Sequence, residues 1–460
     1  MEPIRLDEAA RAMGGVLEGE SARQATSVCT DTRKGAAGAL FFALQGEKSD
    51  GHAFVPDAVA QGAAAVVVSR RVEAPSRIVV DDPLRALGDL AGWHRRRLSL
   101  AVVGVTGSVG KTSTKEMAAR ILSQQLRTGM NAGNYNNEIG VPLTLFELDS
   151  SAQAAVIEMG MRGPGQIARL ADIAAPRLGI VTNIGVSHLE LLGSREAIAA
   201  AKAELLERLP ADGTAAINAD DDFAEFLRSR ASCSVVTFGQ GARADLRATN
   251  VRILPPGETR FRIQDQEFRI GAAGAHHAVN AAAACAAALA LGVPLRLAAE
   301  ALAAFKPPPM RMELLPAGRG TLVLNDAYNA APDSVRSALD SLARLGTGRR
   351  RVAVLGDMKE LGSESERAHR EAGEAAARAG VDLLLAVGEL AAGAALGARR
   401  AGLGAVETAP TTEAAAELLP RLIRPGDAVL VKGSRAMGLE RLVRVLVDLR
   451  DEDGPRHAEA

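Results

Sequence analysis

Cysteine is scarce in this sequence: Cys29, Cys233 and Cys285 are the only three among 460 residues, widely separated and odd in number. That spacing supports neither a disulfide framework nor a zinc site. There is also no excess of charge of one sign, because 54 Lys and Arg against 55 Asp and Glu leave a net charge of −1. Without a basic field nothing argues for nucleic acid as a partner, and Arg95-Arg96-Arg97 reads as a solvated helix end. The N-terminus lacks a basic-then-apolar signal pattern, and no stretch reads as a membrane span. The apolar run from Ala281 to Leu291 is short and alanine-rich, which fits a buried helix better. A cytoplasmic protein without membrane insertion is therefore expected. What is present, 47% hydrophobic and 24% charged residues, is the composition of an ordinary globular protein. At 460 residues the chain is too long for one core, so two to four domains are expected.

The most informative stretch is Ala101-Val-Val-Gly-Val-Thr-Gly-Ser-Val-Gly-Lys-Thr-Ser113. It reads as a buried strand, a glycine-rich turn and the first turn of a helix. Backbone N–H groups of such a loop converge on an anion, and the helix dipole adds positive potential. Lys111 would reach the outer phosphates of a nucleotide, and the Thr112 hydroxyl would coordinate Mg²⁺. The loop is a variant, because Val105 stands where the general phosphate-loop pattern has its first glycine.

Residues 1 to 97 mix short strands, such as Ala39–Leu44 and Ala63–Val68, with a helix near Val55 to Gln61. From Leu98 the pattern becomes strand–helix alternation, with apolar runs at Ala154–Glu158, Leu178–Thr182 and Thr214–Asn218. Uninterrupted apolar runs mark parallel strands covered on both faces. Residues 243 to 270 switch to period-two patterning, which suggests a β-hairpin excursion. Lys306-Pro-Pro-Pro309 is a stiff linker and the clearest boundary. Beyond it, strands at Thr321–Asn325, Val352–Leu355, Leu383–Val387 and Ala428–Val431 alternate with alanine-rich helices. The expected fold is α/β in three domains. A small α/β N-terminal domain precedes a central doubly wound sheet with the phosphate loop, and a C-terminal Rossmann-like α/β domain follows. The charged tail from Asp451 is expected to be disordered.

Ligand groups in open α/β sheets gather beyond the carboxyl ends of the strands. Glu158 ends one apolar run and His188 follows another through Asn183-Ile-Gly-Val-Ser187, so both fall on the edge that carries the phosphate loop. Glu158 is the more natural ligand for a hard ion such as Mg²⁺. Each residue also has a plain reading, Glu158 as a helix cap and His188 as a loop residue with its own partner. Lys202 shares an apolar helical stripe with Ile198, Leu205 and Leu209. It either snorkels to solvent or stays buried as a neutral amine able to add CO₂ and become a carbamate. Asn134-Tyr-Asn-Asn-Glu-Ile-Gly-Val-Pro142 is dense in amides that either form turns or orient a substrate. In Asn325-Asp-Ala-Tyr-Asn-Ala-Ala-Pro-Asp-Ser334, Asp333 or Ser334 suits a helix N-cap, which leaves Asp326, Tyr328 and Asn329 unexplained.

Together these segments resemble the Mur ligase family, ATP-dependent amide-bond-forming enzymes of peptidoglycan synthesis, over nearly the whole chain. The family's loop, Thr-Gly-x-x-Gly-Lys-Thr-Ser/Thr, is matched by Thr106-Gly107-Ser108-Val109-Gly110-Lys111-Thr112-Ser113. Its Glu, His and modified Lys map onto Glu158, His188 and Lys202. His276-His-Ala-Val-Asn280 is similar to the family's His-Asn-x-x-Asn helix start, whose last Asn approaches adenine. His277 replaces the middle Asn, so only Asn280 is carried over. Asp326-Ala-Tyr-Asn-Ala330, Leu355-Gly-Asp-Met-Lys-Glu-Leu-Gly362 and Val431-Lys-Gly-Ser-Arg435 resemble the member that adds a dipeptide. The Tyr-Ala-His-Thr-Pro and Asp-Asn-Pro-Arg motifs of the preceding, amino-acid-adding member are not found. Thr30-Asp-Thr-Arg33, with Asp50-Gly-His52 downstream, looks like the family's uridine-nucleotide-binding region.

The resemblance implies a UDP-substrate-binding domain over 1–97, an ATP-binding central domain over 98–308 and a C-terminal ligase domain over 309–460. It implies ATP and Mg²⁺, with UDP-N-acetylmuramoyl-tripeptide and D-alanyl-D-alanine as substrates and a monomer as the working unit. Lys111, Lys202 and His188 would be catalytic, and Thr112, Glu158, His188 and Lys202 would hold metal. Asn280, Arg311, Asp326 and Asn329 would join the loop in binding ATP, while Thr30, Asp31, Arg33, Asn134 and Asn137 would bind the UDP substrate. Folylpolyglutamate synthase shares the last two domains and the acyl-phosphate chemistry, but residues 1 to 97 argue against it. A phosphate-loop regulator would not need a third domain rich in strand-end polar clusters.

Overall fold

In the computed structural model, residues 1–46, 49–254 and 257–449 are described. The tail from Asp451, expected to be disordered, lies outside them. The central sheet has nine strands, and Ala101–Thr106 lies third from one edge. From that strand the chain runs first to Thr128–Met130 and Ala154–Glu158 on one side. It then crosses to Leu178–Val181, Thr214–Asn218 and Ser234–Gly239 on the other. All these neighbours pair in parallel. The order reverses at Ala101–Thr106, so its carboxyl end is the crevice where such sheets bind ligands.

Side-chain alternation builds the two covering layers. Val103, Val105 and Val156 pack under the helices Lys111–Leu122 and His276–Ala290. Val102, Ile157 and Val181 face the helices Gln166–Ala174 and Arg195–Glu207 on the opposite side. Successive strand residues therefore all find apolar cover, which is why these runs show no polar alternation. The Ala281–Leu291 run is a buried helix, as its composition suggested.

The segment 243–270 is not a hairpin set apart from the sheet. Its strands Leu246–Leu254, Glu258–Ile263 and Gln266–Ile270 form an antiparallel meander that continues the central sheet through Phe238 and Leu246. Phe261, Ile263, Phe268 and Ile270 are buried on one face, with the rings of Phe261 and Phe268 stacked 5.2 Å apart. An apolar face of that size needs cover, and joining the sheet places it under the same helical layer. The edge strand Thr128–Met130 shows no pattern in the sequence because it has only three residues. The amide-rich loop lies between this strand and Ala154–Glu158.

Two smaller sheets flank the central one. The N-terminal sheet runs Val16–Glu18, Arg77–Val79, Ala65–Val68, Ala39–Phe42 and Ser27–Cys29, parallel except for its first strand. The C-terminal sheet runs Glu313–Pro316, Leu322–Asp326, Ala428–Lys432, Arg351–Gly356, Leu383–Val387 and Val406–Ala409, with only the first strand antiparallel. In the helix Pro332–Leu345 neither Asp333 nor Ser334 is the N-cap; that position is Ala331. Pro332 takes the first helical position, where its missing N–H and fixed φ cost nothing, and this moves Ser334 to the third. From there Ser334 Oγ accepts from Ala331 N (3.0 Å) and donates to Ala331 O (2.8 Å).

The helices Ser365–Arg378 and Ala392–Arg400 touch backbone to backbone. A Cβ on Gly373 would lie 1.8 Å from Ala394 O, and one on Gly397 would lie 2.0 Å from Arg370 O. Gly373→Ala must separate the helices and is expected to destabilise the protein by about 1–3 kcal/mol. Thermal unfolding checks this, with Gly404→Ala as the control because nothing lies within 4 Å of its Cβ position. Equal midpoints for the two variants would refute the close-packing account.

Candidate functional site

The phosphate loop joins the strand Ala101–Thr106 to the helix Lys111–Leu122 and is tied to the neighbouring strand end. Ser108 N donates to Asn183 O (3.0 Å), Val109 N donates to Asn183 Oδ1 (3.0 Å), and Thr182 Oγ1 donates to Val109 O (2.6 Å). Gly107 and Gly110 have positive φ, 145° and 85°. A Cβ on Gly107 would strike Thr182 Oγ1 at 1.9 Å, and one on Gly110 would meet Asn280 Oδ1 at 2.7 Å. Glycine is therefore required at both places, by backbone conformation and by contact. The first-turn N–H groups of Lys111, Thr112 and Ser113 have no intrahelical acceptor, and the three residues line the crevice. Lys111 Nζ folds back to Gly107 O (2.7 Å) and Ser108 O (3.1 Å). Burial pushes its ammonium below the usual lysine range, and Glu158 partly opposes that.

Glu158 is a buried carboxylate at the end of the adjacent strand, 2% exposed. Thr112 Oγ1 donates to its Oε2 (2.8 Å) and Asn136 Nδ2 to its Oε1 (2.7 Å). Its backbone is clamped by Asn131, which accepts from Glu158 N at Oδ1 (2.9 Å) and donates from Nδ2 to Glu158 O (3.0 Å). Asn131 is held in turn by Lys115, fully buried on the loop's helix, whose Nζ donates to Asn131 O (2.6 Å). Glu158 is thus a partnered site residue and not a helix cap. Asn136 is thus tied to Glu158, whereas Asn137 Oδ1 accepts from Ile139 N (3.2 Å) and Gly140 N (2.8 Å) at the start of the helix Gly140–Phe146. Thr106 lies below the crevice, with its hydroxyl donating to Met159 O (2.9 Å).

Lys202 is buried, at 2% exposure, so the snorkelling alternative does not hold. Burial and the nearby Lys111 push its ammonium well below the usual lysine range. His188 precedes the short helix Leu189–Leu192 with a left-handed φ of 66°. Its Nδ1 lies 2.6 Å from Glu360 Oε2, although this buried nitrogen makes no hydrogen bond of proper geometry. Burial lowers the His188 pKa, and Glu360 opposes the shift.

One cavity of about 860 Å³ brings these groups together. Its central-domain wall carries Gly107 to Ser113, Asn134, Asn136, Asn137, Glu158, His188, Lys202 and Asn280. Its other wall carries Arg311, Asp326, Asn329, Asp333 and Lys432 from beyond the proline run. The two walls are already apposed: His276 Nδ1 and Ser337 Oγ are 2.8 Å apart, and burial pushes the His276 ring down to about 4. Asp326 pairs with the buried Lys432, whose Nζ also donates to Asn329 O (3.1 Å). Arg311 stacks on Tyr328, 4.1 Å from the ring centre. Thr30, Asp31 and Arg33 are not among the residues lining this cavity. Asp31 is paired to Arg33, which holds its carboxyl down at about 2. Their segment touches the amide loop through Lys34 Nζ, which donates to Tyr135 Oη (3.3 Å). Sequence reasoning missed Asn131, Thr182 and Asn183, whose one signal is their position directly after strands of this edge, and within the amide-rich loop it did not choose Asn136. It also missed the contact of Glu360 with His188.

Three family models match the chain: the Mur ligase family catalytic domain over 24–93, the Mur ligase middle domain over 105–288 and the Mur ligase glutamate ligase domain over 310–435. The UDP-N-acetylmuramoyl-tripeptide–D-alanyl-D-alanine ligase of Bacillus subtilis is 38% identical over 92% of this chain and 93% of its own. That of Escherichia coli is 38% identical over 97% and 99%. A crystal structure of MurF from Acinetobacter baumannii superposes with a TM-score of 0.90 at 33% identity, covering 98% of this chain and all of its own. MurF ligase from Thermotoga maritima in complex with ADP gives a TM-score of 0.81 at 28% identity, covering 91% and 96%.

Replacing Lys115 by Met removes the charge that reaches Asn131 O from the helix and leaves that carbonyl without this donor. The expected cost is about 1–3 kcal/mol of stability. Proteolysis between Asn131 and Glu138 should also accelerate, because the amide loop loses its anchor. Wild-type cleavage rates in Lys115→Met would show that the loop is held by other contacts.

Proposed function

This chain belongs to the Mur ligase family, and we propose that it joins D-alanyl-D-alanine to UDP-N-acetylmuramoyl-tripeptide at the cost of ATP, forming an amide bond through an acyl phosphate. The observation that carries this reading is the single cavity in which the phosphate loop, Glu158 and Lys202 face Asp326 and Asn329 across the two last domains. Relatives of that named activity matching over nearly their full length support it.

A peptide carboxylate is a poor electrophile until one oxygen becomes a leaving group. Its attack on the γ-phosphorus of ATP releases ADP and gives an acyl phosphate. The dipeptide amine then adds to the acyl carbon, and the tetrahedral intermediate collapses with loss of phosphate. Positioning and charge neutralisation dominate phosphoryl transfer. Lys111 and the first-turn N–H groups are placed to bind the phosphates, Asn280 to approach the base, and Arg311, Asp326 and Asn329 to hold the nucleotide from the opposite wall. Thr30, Asp31 and Arg33 would bind the uridine end of the other substrate, with Asn134 and Asn137 nearer the reacting end.

The residues present also fit Mg²⁺. Thr112 and the buried Glu158 offer hard oxygen donors 2.8 Å apart. The described residues hold no cluster of three or more His, Cys, Asp or Glu able to bind a metal. Mg²⁺ commonly takes one or two protein oxygens and completes its shell with phosphates and water. When bound, it would neutralise charge on the transferring phosphoryl group. His188 and a carbamylated Lys202 would hold a second ion near the acceptor carboxylate. Lys202 suits carbamylation because its burial favours the neutral amine, which adds CO₂ and releases one proton. We take the enzyme to work as a cytoplasmic monomer; among the described residues no helix is long and apolar enough to cross a membrane.

Release of ADP over many turnovers should require both the UDP-tripeptide and the dipeptide, which a coupled assay measures. Sustained release, beyond one equivalent per enzyme, with either substrate alone or with neither would overturn the reading. Lys111→Ala should abolish ADP formation while keeping a near wild-type unfolding curve, and normal turnover would remove the phosphate-binding role. Lys202→Ala should be nearly inactive and regain part of its activity when acetate fills the gap. Full activity without acetate would make the lysine structural.

A further inference from the structure

Leu355-Gly-Asp-Met-Lys-Glu-Leu-Gly362 has no part in nucleotide binding as derived above, yet it reaches the central domain. It leaves the strand Arg351–Gly356 as a loop tied down on several sides. Ala391 N donates to Asp357 Oδ1 (2.8 Å), Met358 N to His369 Nε2 (2.9 Å) and Lys359 N to Ser434 Oγ (2.9 Å). Leu361 is buried at 2% exposure. Between these anchors Glu360 adopts a left-handed φ of 64°. The central-domain residue it faces, His188, has a left-handed φ of 66°. Non-glycine residues hold that conformation only where surrounding structure imposes it. The backbones are also joined, since Glu190 N donates to Glu360 O (3.3 Å) and Gly362 packs so closely that a Cβ there would lie 3.2 Å from Glu190 Cα. The outcome is a carboxylate, delivered by one domain, 2.6 Å from an imidazole nitrogen of another.

We propose that Glu360 is a positioning residue for the ligase reaction: it holds His188 at Nδ1, leaves Nε2 to the cavity, and so completes the acceptor side of the site only when the last domain is closed. This rests on the placement of His188 at the acceptor side given under Proposed function. A carboxylate at one imidazole nitrogen fixes the tautomer and the ring orientation, and thereby what the other nitrogen can do. The contact crosses the domain boundary, so an open arrangement leaves His188 without it. Closure and competence are then one event.

The test uses the full-length enzyme with ¹⁵N-labelled histidine, with His188→Ala to assign the signal. In the free wild-type enzyme His188 should be the Nδ1-protonated neutral tautomer, and Glu360→Ala should lose that preference. In turnover, Glu360→Ala should lower kcat about tenfold to hundredfold, the usual effect of removing a carboxylate behind a metal-site histidine, with KM for ATP unchanged. Glu360→Gln, whose carbonyl still accepts from Nδ1–H, should recover part of both. Small-angle scattering of the free proteins should give the same radius of gyration for all three. An unaltered tautomer, a wild-type kcat, or a loss of activity accompanied by a larger radius of gyration would each overturn the proposal, the last by making Glu360 a structural tether. If the wild type forms no amide at all, the functional reading fails, while the tautomer comparison, made without substrate, still decides the role of Glu360.

Discussion

The burial of one carboxylate organises this molecule. Glu158 sits almost without solvent at the end of a central strand, and an anion there is tolerable only if its oxygens are hydrogen-bonded. Thr112 satisfies one oxygen and thereby fixes the first turn of the loop's helix against the sheet. Asn136 satisfies the other and draws the amide loop over the crevice. Asn131 clamps the backbone on both sides, and the buried Lys115 clamps Asn131. Loop, helix and strand end are in this way held to one geometry before any ligand arrives, which is the condition for electrostatic work on a phosphoryl group.

The same crevice concentrates cations at the expense of their hydration. Lys111 and Lys202 are both pushed downward by burial, and each lowers Lys202 or His188 further. Such an arrangement is unfavourable for an empty protein and becomes favourable when polyanionic substrates enter. A Mur ligase handling ATP and an acyl phosphate requires that balance. The last domain places Lys432 against Asp326 in the opposite wall, and Glu360 against His188 across the boundary.

Much of the site was legible because its chemistry is local. Strand, glycine turn, Lys111 and Thr112 are contiguous, and Glu158 and His188 follow apolar runs whose ends a parallel sheet must align. Lys202 was only half legible. Its helical stripe placed it toward the core, but periodicity cannot say whether a long side chain bends out to water. Asn136 and Asn137 show the limit at its sharpest, since neighbouring identical residues took different tasks once the N–H groups of Ile139 and Gly140 engaged Asn137 Oδ1. The segment 243–270 failed for a related reason. Period-two patterning reveals a half-buried face, not which sheet will cover it.

The sequence by itself determined the class of fold, the phosphate loop and the edge of the sheet on which the chemistry lies. Those follow from short-range sterics, hydrogen bonding and the alternation of apolar residues, all written within a few residues of one another. Only the tertiary structure decided that Lys202 is buried, that Asn136 and not Asn137 reaches Glu158, and that Glu360 meets His188 from more than one hundred residues away. These are contacts between segments whose separation along the chain carries no periodic signal. They exist because packing leaves each buried charge a single set of partners.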